Sequence, residues 1–149
     1  MRKCVTGLVL LALCGCDEAS PELSATIGLL SFSADPTVPE SLAMIDLTVD
    51  LEARNGSAEV TLERVTAFVL PRNDDAGVAV SGVLMNPQGV GDPVVRLDSG
   101  EVVTVRVTNG DLTSGVIAGW CNVPAQVEVE FEGNGLVAED AADATVLCP

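Results

Sequence analysis

An all-β fold, an antiparallel sandwich of about seven strands, is what this sequence predicts. Three observations carry that expectation. Apolar and polar residues alternate with period two in several stretches, most cleanly from Leu42 to Ala53. Turn-forming groups such as Asn55-Gly56, Asp98-Ser99-Gly100 and Asn134-Gly135 punctuate those stretches. No stretch sustains a helical period, so the layers must be sheets packed on sheets.

The first sixteen residues stand apart from that pattern. Arg2 and Lys3 precede a short apolar run, Val5 to Leu13, well below the roughly 20 residues a helix needs to cross a bilayer. Such a segment is a cleaved export signal rather than an anchor. It ends in Leu13-Cys14-Gly15-Cys16, which resembles the lipobox of bacterial lipoproteins: an aliphatic residue three before the cysteine and a small residue directly before it. Cys14 fits less well, because Leu13 would then fill the small-residue position. The resemblance implies that Cys16 becomes the N-terminus, carrying a diacylglycerol thioether and an N-acyl chain such as palmitate. Several chains at about 0.8 kcal/mol per buried CH2 make a durable anchor. The expected organisation is a signal peptide over 1–15, a lipidated tether over 16–22 and a β-sandwich domain over 23–149. In enteric bacteria a residue like Asp17 resembles an inner-membrane retention signal. Either the cell membrane or the outer membrane remains open as the address.

Within the domain, Leu23 to Ser33 is β-prone, and Ala34 to Ser41, with Pro36 and Pro39, is expected to be loop. From Leu42 to Ala53, residues Ile45, Leu47, Val49 and Leu51 share a dry face, and Asp46, Thr48, Asp50 and Glu52 a wet one. Asn55-Gly56 supplies residues that accept positive φ. Ala58 to Leu70 resumes as a strand, stopped by Pro71 and the polar Arg72-Asn73-Asp74-Asp75. Gly77 to Gly91 carries no charge; it is either a buried edge strand with its loop or a sticky surface. Pro93 to Leu97 and Glu101 to Thr108 flank the turn at Asp98-Ser99-Gly100, and Val103, Val105 and Val107 mark a buried face. Asn109 to Gly119 reads as loop.

Trp120 to Cys148 forms the last unit. Val127, Val129 and Phe131 alternate with Glu128, Glu130 and Glu132, and Asn134-Gly135 is a strong two-residue hairpin signal. The turn pairs residues whose numbers sum to 269, and Cys121 and Cys148 obey the same sum. With Cys4 and Cys14 removed and Cys16 acylated, these two remain as an even pair in an oxidising compartment. They are expected to form a disulfide, worth about 3.5 kcal/mol in the chain-entropy picture. The same register sets Glu130 against Glu139 and puts Asp140 on the apolar side. The run Ala138 to Ala144 is therefore expected to bulge or leave the sheet.

At this point the chain looks like a bacterial immunoglobulin-like or fibronectin-type-III-like domain. The likeness rests on the alternating strand and polar turn from Asp46 to Gly56, and on the turn-then-strand from Leu97 to Val105. It covers about residues 23–148 and implies a sandwich but no chemistry. The antibody pattern of two inter-sheet cysteines around a core tryptophan is absent, since Trp120 adjoins Cys121.

Function classes narrow from composition. After residue 15 there is no Lys, His or Tyr, and five arginines against 22 acids give a formal charge of −17. Such a surface repels nucleic acid and anionic head groups. Without His, Lys, Tyr or a free thiol, an enzyme is not expected; carboxylate-only hydrolysis is the remotest alternative. No resident cofactor is expected, and thiol or imidazole metal sites are excluded by residue type. Calcium is the alternative worth carrying: Asn73, Asp74 and Asp75 cluster in one loop, and Glu130, Glu139 and Asp140 are candidates to converge. The leading expectation is a non-catalytic binding or structural module of the cell envelope. Its partners are the bilayer, through the acyl anchor, and an envelope protein. Candidate interface residues are Val83, Leu84 and Met85 in the uncharged stretch and Trp120, for which a core position is the competing expectation.

Overall fold

The computed structural model describes residues 19–35, 37, 42–69, 78–80, 83–86, 89–90, 94–113 and 120–149. Two antiparallel sheets face each other, as the alternation predicts. The first has the order β1 (Glu22–Asp35), β2 (Leu42–Arg54), β8 (Val102–Thr113), β5 (Val83–Asn86), β6 (Gly89–Val90). The second has the order β10 (Leu136–Thr145), β9 (Pro124–Gly133), β3 (Ala58–Val69), β4 (Val78–Val80), with β7 (Val95–Leu97) also on β3. Taking β4, β6 and β7 as short additions, four strands, β1-β2-β8-β5, face three, β10-β9-β3. That is the strand order of an immunoglobulin constant-type sandwich.

Side chains that alternate inward fill the space between the sheets. Phe32, Ile45, Leu47, Val49, Leu51, Val105 and Val107 come from the first sheet, and Val60, Val65, Val127, Val129 and Phe131 from the second; all are buried. Medium aliphatic residues thus do most of the filling, with two phenylalanines and Trp120 as the large pieces. Every fully buried side-chain polar atom among the described residues has a hydrogen-bond partner, so no unsatisfied group offsets this burial.

Local turn chemistry is realised, but two of the three turns do not make hairpins. Asn55 adopts φ 58°, yet Asn55-Gly56-Ser57 carries the chain from β2 in one sheet to β3 in the other. Asp98-Ser99-Gly100 likewise joins β7 on β3 to β8 in the first sheet. The two crossings lean on each other, with the Gly100 N–H donating to the Ala53 carbonyl at 2.7 Å. At Asn134-Gly135, φ values of 52° and 76° make the type I′ turn that a right-twisted hairpin favours.

The β9–β10 ladder keeps its register from Leu136↔Gly133 to Thr145↔Pro124. Ala138 to Ala144 does not leave the sheet, contrary to expectation. Asp140 does land opposite buried Val129. Its carboxylate is satisfied from the other sheet, accepting the Ile27 N–H at 2.6 Å. A β-bulge between Ile27 and Leu29 interrupts the β1–β2 ladder there. Thr48 Oγ1 accepts the Leu29 N–H at 2.9 Å. A charge pointing inward on an edge strand and a bulge on the facing edge are both devices that discourage edge-to-edge aggregation. Asp140→Ala should therefore lower unfolding stability by about 2 kcal/mol, the scale of a hydrogen bond to a charged group. Asp140→Asn, which keeps an acceptor, should cost less. Urea denaturation of the two variants checks this, and equal losses would contradict it.

Two further boundaries differ from expectation. β1 runs to Asp35, and β8 runs to Thr113 through Asn109 and Gly110, because β2 keeps pairing with it as far as Leu42↔Thr113 across an irregularity between Ala43 and Ile45.

Candidate functional site

The sandwich has two distinct ends. The N-termini of β1, β3, β8 and β10 gather at one, with the turns at 55–57, 98–101 and 134–135. Asn55 Nδ2 donates to the Ser20 carbonyl there at 3.3 Å, so the chain enters the domain at this end. Cys16 itself lies outside the described residues. The opposite end holds the last residues of β1 and β10, the first of β2 and β9, and the Cys121–Cys148 disulfide. The bond joins the two cysteines that the hairpin sum placed opposite one another, with a Cα–Cα separation of 5.4 Å.

Trp120 is not a surface residue. It is 6% exposed and meets the Phe32 ring edge-on, centroids 6.1 Å apart. The interface expectation for it is corrected to the core position, because its ring closes the end of the sandwich between β1 and the turn that precedes β9. In the uncharged stretch, Val83, Leu84 and Met85 form β5, opposite Thr108, Val107 and Arg106 of β8. Their side chains, and all of Asn73, Asp74 and Asp75, lie outside the described residues. β4 and β6, from the same stretch, take the outermost positions of the two sheet orders.

The carboxylates expected to converge are neighbours on β9 and β10, but two of them already have partners. Glu130 stands opposite Glu139 but accepts Arg64 Nη2 at 2.5 Å, and Asp140 serves Ile27. A shallow groove on this face is lined by Arg64, Glu128, Glu130, Glu139, Asp140 and Ala141. Among the described residues no three carboxylates or thiols stand close enough together to hold a metal ion. The four described arginines, Arg54, Arg64, Arg96 and Arg106, each pair with a carboxylate, namely Glu52, Glu130, Glu59 and Asp46. The acids outnumber them, so the outer face of the second sheet stays negative, with Glu128, Glu130 and Glu132 on β9 and Glu139 and Asp143 on β10.

The outer face of the first sheet carries a groove that the sequence pattern did not reveal. It is lined by Leu29, Ser31, Asp46, Thr48 and Arg106. Leu29 is 73% exposed because the bulge at Gly28 reverses the alternation of β1: Ala25 faces inward before it, and Phe32 and Ala34 after it. The isolated glycine inside an apolar strand was the available signal. Arg106 forms a bidentate pair with Asp46, its Nε donating to Oδ1 at 2.8 Å and its Nη2 to Oδ2. The hydrogen bonds from Arg106 hold the Asp46 carboxyl below the ordinary carboxylate range. A lowered folded-state pKa stabilises above the unfolded value near 3.8 and loses that contribution as pH falls through the folded value. Both side chains are partly exposed, so solvent screens the pair and its contribution to stability is small. In Arg106→Gln the Asp46 titration, followed by carboxyl NMR, should move upward toward 3.8; an unchanged midpoint would deny the pairing.

No family model matches the chain, and no curated protein matches it. Solved structures do. An uncharacterized β-sandwich protein from Clostridium difficile 630 is 18% identical over 79% of this chain and 85% of its own, with a TM-score of 0.45. Spo0M, a sporulation control protein from Bacillus subtilis, is 14% identical, with 85% of this chain spanning 49% of that one and a TM-score of 0.44. A PapD-like domain of human CEP192 is 13% identical over 100% of this chain and 99% of its own, with a TM-score of 0.34.

Proposed function

We propose that this protein is an exported lipoprotein, tethered through acylated Cys16 to the cell membrane or outer membrane. Its sandwich acts there as a non-catalytic binding or structural module of the envelope. The observation that carries this reading is where the chain enters the domain. Ser20 sits against Asn55, so a tether running back to Cys16 leaves from the end with the turns at 55–57, 98–101 and 134–135. Residues 16–21 span at most about 20 Å, which keeps that end near the lipid. Its described residues offer Asp98, Ser99, Glu101 and Asn134 to solvent beside the half-exposed Val102 and Val137, a mostly polar surface whose acids are repelled by anionic head groups. The far end, with the disulfide, is then turned outward toward a second envelope protein.

The non-catalytic part rests on residue chemistry. After residue 15 the chain has no His, Lys or Tyr, and Cys121 and Cys148 are bonded to each other.

The test is made in cells. Mass spectrometry of the native protein should find diacylglycerol and acyl chains on Cys16, and Cys16→Ser should move the protein out of the membrane fraction. A photo-reactive side chain at position 99 should crosslink to lipid, and one at position 37 to protein. An unacylated Cys16, or the reverse crosslinking pattern, overturns the reading.

A further inference from the structure

After β10 the chain does not simply end its ladder. Val146 and Leu147 lie between the two sheets and hydrogen-bond in opposite directions. On one side the Val146 N–H donates to the Val123 carbonyl at 3.1 Å, and the Asn122 N–H donates to the Val146 carbonyl at 2.7 Å. On the other, the Leu147 N–H donates to the Phe32 carbonyl at 2.9 Å and the Ala34 N–H to the Leu147 carbonyl at 2.8 Å. Leu147 thus runs parallel to Ser33 of β1, and the Val146 side chain between them is fully buried. This short segment fills a slot, and Cys148 fastens it to Cys121 at the slot's rim.

Each wall of the slot also has supports of its own. β1 is held by β2 down to Asp35↔Leu42. The opposite wall is held by the turn in which the Val123 N–H donates to the Trp120 carbonyl at 3.0 Å, and by the Trp120–Phe32 contact. Neither cysteine is fully buried.

We propose that the Cys121–Cys148 disulfide is a redox latch on a strand-accepting slot, and that its reduction lets the slot take the Val146–Leu147 segment of a second copy of this chain. The reductant is a dithiol. Its thiolate attacks one sulfur and forms a mixed disulfide, and its second thiol releases that link. Two electrons and two protons pass to Cys121 and Cys148, and the reductant leaves as its own disulfide. Freed of the bond, Val146 and Leu147 are held by four backbone hydrogen bonds, the burial of Val146 and their continuity with β10. An extended strand with the same groups can then replace it by the edge addition that sheets permit.

Hydrogen exchange of the full chain, with and without dithiothreitol, tests the latch. Reduction should speed exchange at Ala34, Asn122, Val146 and Leu147 at least tenfold and leave the β2 and β9 ladders protected. The Cys121→Ser/Cys148→Ser double variant should show the reduced pattern with no reagent. A synthetic peptide of residues 143–149 bearing Cys148→Ser should then restore protection at Ala34 and Asn122 in the reduced protein only, and the same peptide with Val146→Asp should not. Unchanged exchange on reduction, loss of protection throughout β2 and β9, or no restoration by the first peptide would each overturn the proposal.

Discussion

Gly133→Ala is expected to destabilise the domain by about 3 kcal/mol or more, the upper range for forcing atoms into a packed interior. Gly133 is the last residue of β9, and its backbone passes close over the start of β3. A Cβ placed there would lie 2.1 Å from the Glu59 carbonyl oxygen, 2.6 Å from Val60 Cγ1 and 2.8 Å from the Glu59 carbonyl carbon. Two of those three atoms are backbone, so no side-chain rotation relieves the clash. The β3 backbone cannot withdraw freely either. Ala58, Glu59 and Val60 are paired with Leu97, Arg96 and Val95 of β7, while from Thr61 onward β3 pairs with β9. Any shift at Glu59 must break one ladder or the other. Gly135→Ala isolates the other reason a glycine can be required. It sits two residues away at φ 76° with nothing within 4 Å of an added Cβ. It should cost only about 1 kcal/mol, from backbone conformation alone. Urea denaturation of both variants measures the difference. Equal losses at the two positions would show that β3 gives way and that the close approach is not a constraint.

The parts of this fold that were legible in the sequence are those set by local rules. β2 was readable because its dry residues sit at every second position and nothing interrupts them. The β9–β10 register was readable because a two-residue turn fixes every pair that follows. That arithmetic extended to Cys121 and Cys148, which meet as it requires. The misreading of Ala138 to Ala144 has a clear physical origin. Periodicity reports that Asp140 points toward apolar neighbours, but it cannot report a donor 113 residues away on another sheet. The bulge that frees that donor also turns Leu29 outward. One glycine in β1 therefore accounts for both the surviving ladder and the unforeseen groove.

Turn residues were legible in the sequence, while the strands they would bring together were legible only at Asn134-Gly135. Asn55-Gly56 and Asn134-Gly135 are the same dipeptide with a positive-φ asparagine, yet one crosses between sheets and the other closes a hairpin. The difference lies in which strands pair afterward, and that is a long-range property. Site reading met the same boundary. Residue types removed whole classes of chemistry, but convergence of Glu130, Glu139 and Asp140 depended on partners. Arg64 and the Ile27 N–H claim two of those carboxylates in different directions.

Trp120→Ala is expected to cost about 4 kcal/mol, the range for removing a large aromatic from a core, and to lower the melting temperature by roughly 10–16 °C for a domain of this size. The protein has a single tryptophan, and that ring closes the end of the sandwich where three pieces of chain meet. It packs edge-on against Phe32 of β1, its carbonyl accepts the Val123 N–H, and its neighbour Cys121 is bonded to Cys148. Truncation would leave a cavity in the core beside Phe32 and remove the aromatic pair, which itself contributes about 1 kcal/mol beyond area burial. The surroundings cannot collapse to fill the space, because the disulfide fixes one side and the β1–β2 ladder the other. Phe32→Leu, which keeps most of the volume on the opposite face of the contact, should cost less than half as much. The buried ring should also give wild-type protein a blue-shifted fluorescence emission that moves to longer wavelength on unfolding, so one signal follows both folding and the site. Calorimetry and urea titration supply the energies. A Trp120→Ala variant that melts with the wild type but no longer captures an envelope partner would return this residue to the surface and remove the closed end on which the strand-accepting slot depends.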